Sequence, residues 1–151
     1  MKHNEFMQIA IKAAQKSCND VPVGAIIIKD GQIISKACNK KEKTNDISAH
    51  AEILALKKAA KILNNWRLEG CIMYVTLEPC PMCAAAIINS RISEVYFGAN
   101  DTLYGALGSA IDLRKLFNSK LKVKGGILEK ECEDLLKNFW RKDGKSKNKV
   151  G

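Results

Sequence analysis

Apolar positions recur at helical spacing near the start of the chain, where Phe6, Ile9, Ala10 and Ala13 fall on one face and Lys12 and Lys16 on the other. The spacing predicts a helix capped by Asn4 and running to about Ser17. Asn19-Asp20-Val21-Pro22 closes it, because the residue before a proline avoids the helical region. The period then shortens. Val23 to Lys29 reads as a buried strand and Gln32 to Ala37 as its partner, with Asp30-Gly31 between them as a hairpin signal. Gly24 heads the first strand and predicts a close backbone approach there, by another element or by a ligand. Asn39 to Ser48 is polar and aperiodic, hence a loop. Ile53, Leu54, Leu56, Ala60 and Leu63 then restore helical spacing, with Asp46 or Ser48 as the expected cap.

Cys71 to Leu77 is almost continuously apolar, as a central strand covered on both faces must be. Glu78-Pro79 stops it. Pro81 suits a first helical position, which makes Cys80 the cap and Cys83 a first-turn residue of a helix reaching about Ser90. A short strand at Glu94 to Gly98 follows, then a loop from Asn100 to Ser109. A short helix near Asp112 to Phe117, a strand near Leu121 to Lys124 and a last helix from about Glu129 complete the order. A helix, a hairpin and then strand–helix–strand units imply an α/β chain with helices covering a sheet of about five strands. No repeat or linker divides residues 1–151, so a single domain is expected. A basic, flexible tail from about residue 142, with Lys142, Lys145, Lys147 and Lys149, should follow.

Composition adds three constraints. No apolar run approaches the roughly 20 residues of a membrane span, and the start lacks the apolar core of a signal peptide, so a cytoplasmic protein is expected. Six cysteines could form three disulfides, which a reducing compartment disfavours. Cys18, Cys38, Cys71 and Cys132 lie in or beside apolar stretches and read as small buried hydrophobes. The net charge of +9 leaves two readings open, a polyanionic partner or simple solubility.

The chemistry gathers in two short pieces, His50-Ala51-Glu52 and Pro79-Cys80-Pro81-Met82-Cys83. One imidazole and two thiols give three ligands, the number a catalytic zinc uses when it keeps a fourth position for water. Glu52 is then the base that works on that water. Residues two apart do not share a lateral face of a helix. His50 and Glu52 therefore converge only if the site is approached end-on, from the helix start. Both thiols also lie at a helix start, where the macrodipole favours thiolates. Strand-to-helix junctions gather at the rim of an α/β sheet, where ligands bind. A closed structural zinc site is the competing reading, but it needs a fourth protein ligand, and no local pattern supplies one.

With H-x-E followed by P-C-x-x-C, the chain resembles the zinc-dependent deaminases of nucleobases and nucleotides. The resemblance is closest to the bacterial tRNA-specific adenosine deaminases. It runs through Val21-Pro22-Val23-Gly24-Ala25, Asn39, Thr76 to Cys83, Ser90-Arg91-Ile92, Phe97-Gly98-Ala99 and Gly105-Ala106-Leu107-Gly108-Ser109. It implies a three-layer cytidine-deaminase-like fold with a mixed sheet, and one zinc ion per chain on His50, Cys80 and Cys83. It implies that zinc-bound hydroxide attacks an adenosine at the wobble position of a tRNA anticodon, with Glu52 as proton shuttle, giving inosine. By position, Val23 and Leu77 become apolar walls for the flipped base, and Asn39 and the Ala51 backbone readers of its edge. Asp101 falls in the loop that meets the neighbouring nucleotides. Leu103 stands where some members carry a lysine. The implied partners are an anticodon stem-loop, that of an arginine tRNA, and a second copy of the chain in a homodimer. The zinc residues alone also fit a deaminase of free guanine, cytosine or deoxycytidylate. The basic excess at Lys40-Lys41, Arg114-Lys115 and the tail favours RNA.

Overall fold

The computed structural model describes residues 2–143, and all but the first two residues of the expected tail lie outside them. The elements run α1 (Lys2–Ala14), β1 (Gly24–Lys29), β2 (Gln32–Cys38), α2 (Lys41–Thr44), α3 (Ala51–Leu63) and β3 (Ile72–Leu77). They continue with α4 (Pro81–Asn89), β4 (Glu94–Ala99), α5 (Leu113–Leu116), β5 (Lys122–Lys124) and α6 (Glu129–Asp143). The strands form one mixed sheet in the order β2-β1-β3-β4-β5. β1 is antiparallel to both β2 and β3, whereas β3, β4 and β5 are parallel. β3 is central, as its nearly continuous apolar run requires.

The hairpin forms at Asp30-Gly31. Both residues take positive φ, +50° and +77°, the backbone that a tight two-residue turn needs. A register shift between Ile27 and Ile28 leaves Ile34 unpaired against β1.

Parity along β3 and β4 sorts the two faces. Tyr74, Thr76, Tyr96 and Gly98 face α1 and α6, since the rings of Tyr74 and Tyr96 meet that of His3 at a tilt, and a Cβ on Gly98 would lie 2.2 Å from Cys132 Sγ. The opposite face carries Met73, Val75, Val95 and Phe97 in the core beside α3, on which Ala51, Ala55, Leu56 and Ala59 are buried. The close approach at Gly24 is to α1. A Cβ there would sit 2.1 Å from Ala10 O and 2.5 Å from Ala14 N, so the helix backbone lies directly on the strand.

Several local expectations change. α1 starts at Lys2, so Asn4 is inside the helix; the docking of His3 on Tyr74 and Tyr96 holds that first turn. It ends at Ala14, where Lys16 N–H and Ser17 N–H turn back to Ala13 O and Ala14 O. Cys18 then adopts φ +55° and is exposed, unlike Cys38, Cys71 and Cys132, which are buried as expected. The 39–48 stretch contains a turn of helix, α2, whose Glu42 N–H donates to Asp20 Oδ2 at 2.9 Å. Neither Asp46 nor Ser48 caps α3. Asp46 is spent on its own turn, accepting from the Ser48 N–H and hydroxyl, and His50 occupies the cap. At the other end, α6 extends through Asp143 and takes Arg141, and the backbone of residues 142 and 143, into the helix. Lys145, Lys147 and Lys149 lie outside the described residues.

Candidate active site

α3 and α4 both begin at the ends of loops on one rim of the sheet. His50 is the N-cap of α3, extended at φ −78° and ψ 150°, and Cys80 is the N-cap of α4, extended at φ −72° and ψ 173°. A capping residue has left the helical spiral, so its side chain can turn across the helix mouth. That is how His50 comes to serve one site with Glu52, two residues on. Pro81 at the first helical position fixes the turn between Cys80 and Cys83.

The donor atoms converge. His50 Nδ1 lies 3.7 Å from Cys80 Sγ and 3.4 Å from Cys83 Sγ, and the ligand atoms of all three residues fall within 4.8 Å of one another. A tetrahedral zinc with Zn–N near 2.05 Å and Zn–S near 2.3 Å separates N from S by about 3.6 Å. The two observed distances bracket that value. The residues fit zinc, and one open coordination position is left for water.

Electrostatics agree with a metal site. The Cys80 thiol is drawn down to about 4, first because the Cys83 S–H donates to its thiolate and then because His50 does. Cys83 is pushed up as the donor of that pair and by burial. His50 is raised, chiefly by its hydrogen bond with Cys80. One thiolate, one thiol and an imidazole share protons that a divalent cation would replace, since metal ligation requires both thiolates. Glu52 is 4% exposed, and burial, then the negative Cys80, raise its carboxyl to about 7. A carboxyl poised near neutrality can both take and return a proton.

These groups open into a small cleft lined by Val21, Val23, Asn39, His50, Glu52, Leu77, Glu78, Cys80 and Asp101. Val23, Leu77, Asn39 and Asp101 are thus brought together around one cleft with His50, Glu52 and Cys80. Cys83, the third ligand, is wholly buried. Asn39 and Ala51 are linked rather than independent. Asn39 Oδ1 accepts the Ala51 N–H at 2.8 Å, and Asn39 Nδ2 donates to Val21 O at 3.0 Å. The amide therefore caps α3 from outside the helix. Two lining residues, Val21 and Glu78, were not anticipated as site residues. An acidic residue wedged between a buried strand and a metal-binding cysteine is the signal that could have singled out Glu78.

A second, roomier cleft of about 210 Å³ shares Leu77 and Asp101 with the first and continues along Asn100, Thr102 and Leu103 to Leu136, Lys137 and Trp140 of α6. Among the basic loci, Lys43 is exposed and Lys40 and Lys41 half-exposed on and beside α2. Arg114 is already committed, with Nε and Nη2 both donating to Asp112. No helix among the described residues is long and apolar enough to cross a membrane.

Residues 1–99 match the family model for the cytidine and deoxycytidylate deaminase zinc-binding region. The chain is 44% identical over 146 residues to a tRNA-specific adenosine deaminase of Bacillus subtilis, covering 94% of this chain and 91% of that one. Among solved structures, it superposes with a TM-score of 0.80 on a tRNA:A34 deaminase described as performing A-to-I editing at the wobble position of transfer RNA. That pair is 37% identical and covers 87% of this chain and 99% of the other. A guanine deaminase from Bacillus subtilis matches with a TM-score of 0.64 and 41% identity over 66% of each chain. The zinc-ligand geometry, the mixed sheet and these matches place the chain in the cytidine and deoxycytidylate deaminase family, on its tRNA-specific adenosine deaminase branch.

Proposed function

We propose that the protein deaminates adenosine to inosine at the wobble position of a tRNA anticodon, that of an arginine tRNA. The observation that carries this reading is the junction of the two clefts: the small cleft at the zinc ligands shares Leu77 and Asp101 with a roomier groove that runs towards α6. A free base needs only the first. A nucleotide within a strand needs room for its neighbours as well, which the second provides.

His50, Cys80 and Cys83 hold zinc in this reading, and the metal, when bound, lets a water act as nucleophile at neutral pH. Glu52 takes a proton from that water and gives it to ring nitrogen N1 as the C6–O bond forms. It then carries the second proton to the exocyclic nitrogen as the C6–N bond breaks, releasing ammonia and leaving inosine. Val23 and Leu77 grip the faces of the base, and their burial excludes water from the reacting carbon. Asn39, held by Val21 and Ala51, presents its amide at the edge of the ring. Asp101, whose carboxylate accepts the Leu103 and Tyr104 N–H groups, shapes the turn that meets the adjoining nucleotide. The chain acts as a homodimer, for which the exposed Ile111, Leu116 and Phe117 beside α4 and α5 offer apolar surface.

Sequencing of the arginine tRNA after incubation with zinc-loaded protein tests the assignment: adenosine at the first anticodon position should be read as guanosine. The likeness to a guanine deaminase makes free guanine the contrasting substrate. Ammonia released from guanine, with an untouched anticodon, would replace this reading with its rival.

A further inference from the structure

Glu78 is 2% exposed, and no Lys or Arg among the described residues pairs with it. A buried carboxylate without a cation must be satisfied by hydrogen bonds. It is, and every donor comes from one loop. Oε1 accepts the Asp101 N–H at 3.1 Å and the Ser109 hydroxyl, and Oε2 accepts the Leu107 and Ser109 N–H groups at 3.1 Å each. Asn100 Nδ2 donates to the same Ser109 hydroxyl at 3.0 Å, so the two ends of the 100–109 loop are tied together over the carboxylate. Gly105 closes the wrapping: a Cβ there would lie 2.4 Å from Glu78 Cδ. The loop folds on itself through the Gly105 N–H on Asp101 O, the Leu103 and Tyr104 N–H groups on Asp101 Oδ1 and the bridge between Leu107 and Asp112, and its attachment to the end of β3 falls to Glu78 and the Pro79 carbonyl.

That anchor stands two residues before Cys80. Its position is fixed from both sides, by the Glu78 N–H donating to Ala99 O at 2.9 Å and by Pro79 O accepting the Ala106 N–H at 2.9 Å. The loop it holds supplies Asp101 to both clefts and Asn100, Thr102 and Leu103 to the second. We propose that Glu78 is a positioning residue: its carboxylate docks the 100–109 loop against the zinc-ligand turn and so sets the wall that receives the nucleotides beside the target base. The proposal rests on the anticodon reading given above. Glu78 acts on how the strand is held, and the proton transfers remain with Glu52.

Glu78→Gln is the test, because glutamine keeps the shape but turns an amide NH2 towards two of the four donors. Zinc content should stay at one per chain. Amide hydrogen exchange at Asp101, Leu107 and Ser109 should quicken, with α3 and α4 unaffected. With an anticodon stem-loop, KM should rise about tenfold or more while kcat changes little, a charge-assisted hydrogen bond being worth roughly one factor of ten. Discrimination among stem-loops altered beside the target should narrow. Ser109→Ala, which removes only the hydroxyl donor, is a milder companion should the first variant fold poorly, and should shift KM and exchange in the same direction. Loss of zinc, a fall in kcat at constant KM, or unchanged KM despite faster exchange would each overturn the proposal. No turnover by the unsubstituted protein would instead defeat the anticodon reading, and the exchange measurement would still decide whether Glu78 holds the loop.

Discussion

Replacing Asn39 by alanine removes an amide that joins two segments: Nδ2 donates to Val21 O at 3.0 Å and Oδ1 accepts from Ala51 N at 2.8 Å. Ala51 is 0% exposed, so its N–H, the first of α3, has no water to turn to. Leaving a buried donor unsatisfied costs about 1–3 kcal/mol, and losing a helix cap about 1 kcal/mol, two descriptions of largely the same bond. The half-buried Val21 carbonyl adds about 1 kcal/mol. The expected loss is therefore about 2–4 kcal/mol, or on the order of 10 °C in Tm for a chain of this size. Calorimetry of the zinc-loaded variant is the assay, with Asn39→Asp beside it. Aspartate keeps the acceptor for Ala51 and adds a charge that suits a helix start, but it sets oxygen against the Val21 carbonyl. It should fall between parent and alanine variant. Turnover of Asn39→Ala, measured where the protein stays folded, then isolates any contact with the base. A Tm within about 2 °C of the parent would refute the bridging argument and return Asn39 to the substrate alone.

Glu52→Ala should retain one zinc per chain and lower turnover roughly 10²–10⁴-fold, the usual span for a positioned acid–base group; surviving activity would remove Glu52 from the mechanism. In the metal-free protein, the Glu52 carboxyl is raised from 4.5 to about 7, so the folded state binds the extra proton between those values. Stability from this group is therefore present below about pH 4.5 and declines as pH rises through about 7. Comparing urea unfolding of apo parent and apo Glu52→Gln, the parent should lose up to roughly 3 kcal/mol relative to the variant across that interval; equal slopes would deny the shift. Gly98→Ala places a methyl 2.2 Å from Cys132 Sγ and 2.9 Å from Thr76 O, and should destabilise by about 1–3 kcal/mol by denaturant titration. Cys132→Gly should relieve part of that cost, and no relief would show that the Thr76 backbone is the harder contact. Stem-loop binding should weaken about 50-fold between 50 and 200 mM salt if about four phosphates are neutralised by groups such as Lys40, Lys41 and Lys43, and a flat response would argue for a small uncharged substrate.

The elements were legible wherever a feature is local and periodic. The Asp30-Gly31 turn, the central β3 and the Cys80 cap follow from residue type and spacing alone, and so do the zinc ligands once three donors are counted. What escaped depends on partners distant in sequence. α2 has four residues and no buried side chain, so periodicity is silent there, and its N–H to Asp20 spans 22 positions. His50 as cap could not be told from Ser48 or Asp46, because capping propensity favours the short polar residues. Glu78 reads as a strand terminator until the loop 23–31 residues downstream folds over it. The basic pair Arg114-Lys115 lost half its apparent reach when Asp112, two residues back, closed on Arg114.

The placement of β3 has a consequence for how the protein comes together. His50 precedes that strand and both cysteines follow it, 30 and 33 residues on. Cys80 and Cys83 can seize a metal ion locally in a nascent or unfolded chain, whereas the imidazole arrives only after β3 has inserted between β1 and β4. Metal met early thus yields a two-thiolate species first. The moment at which nitrogen enters the coordination sphere, followed with a cobalt substitute by its absorption, is a clock for insertion of the central strand.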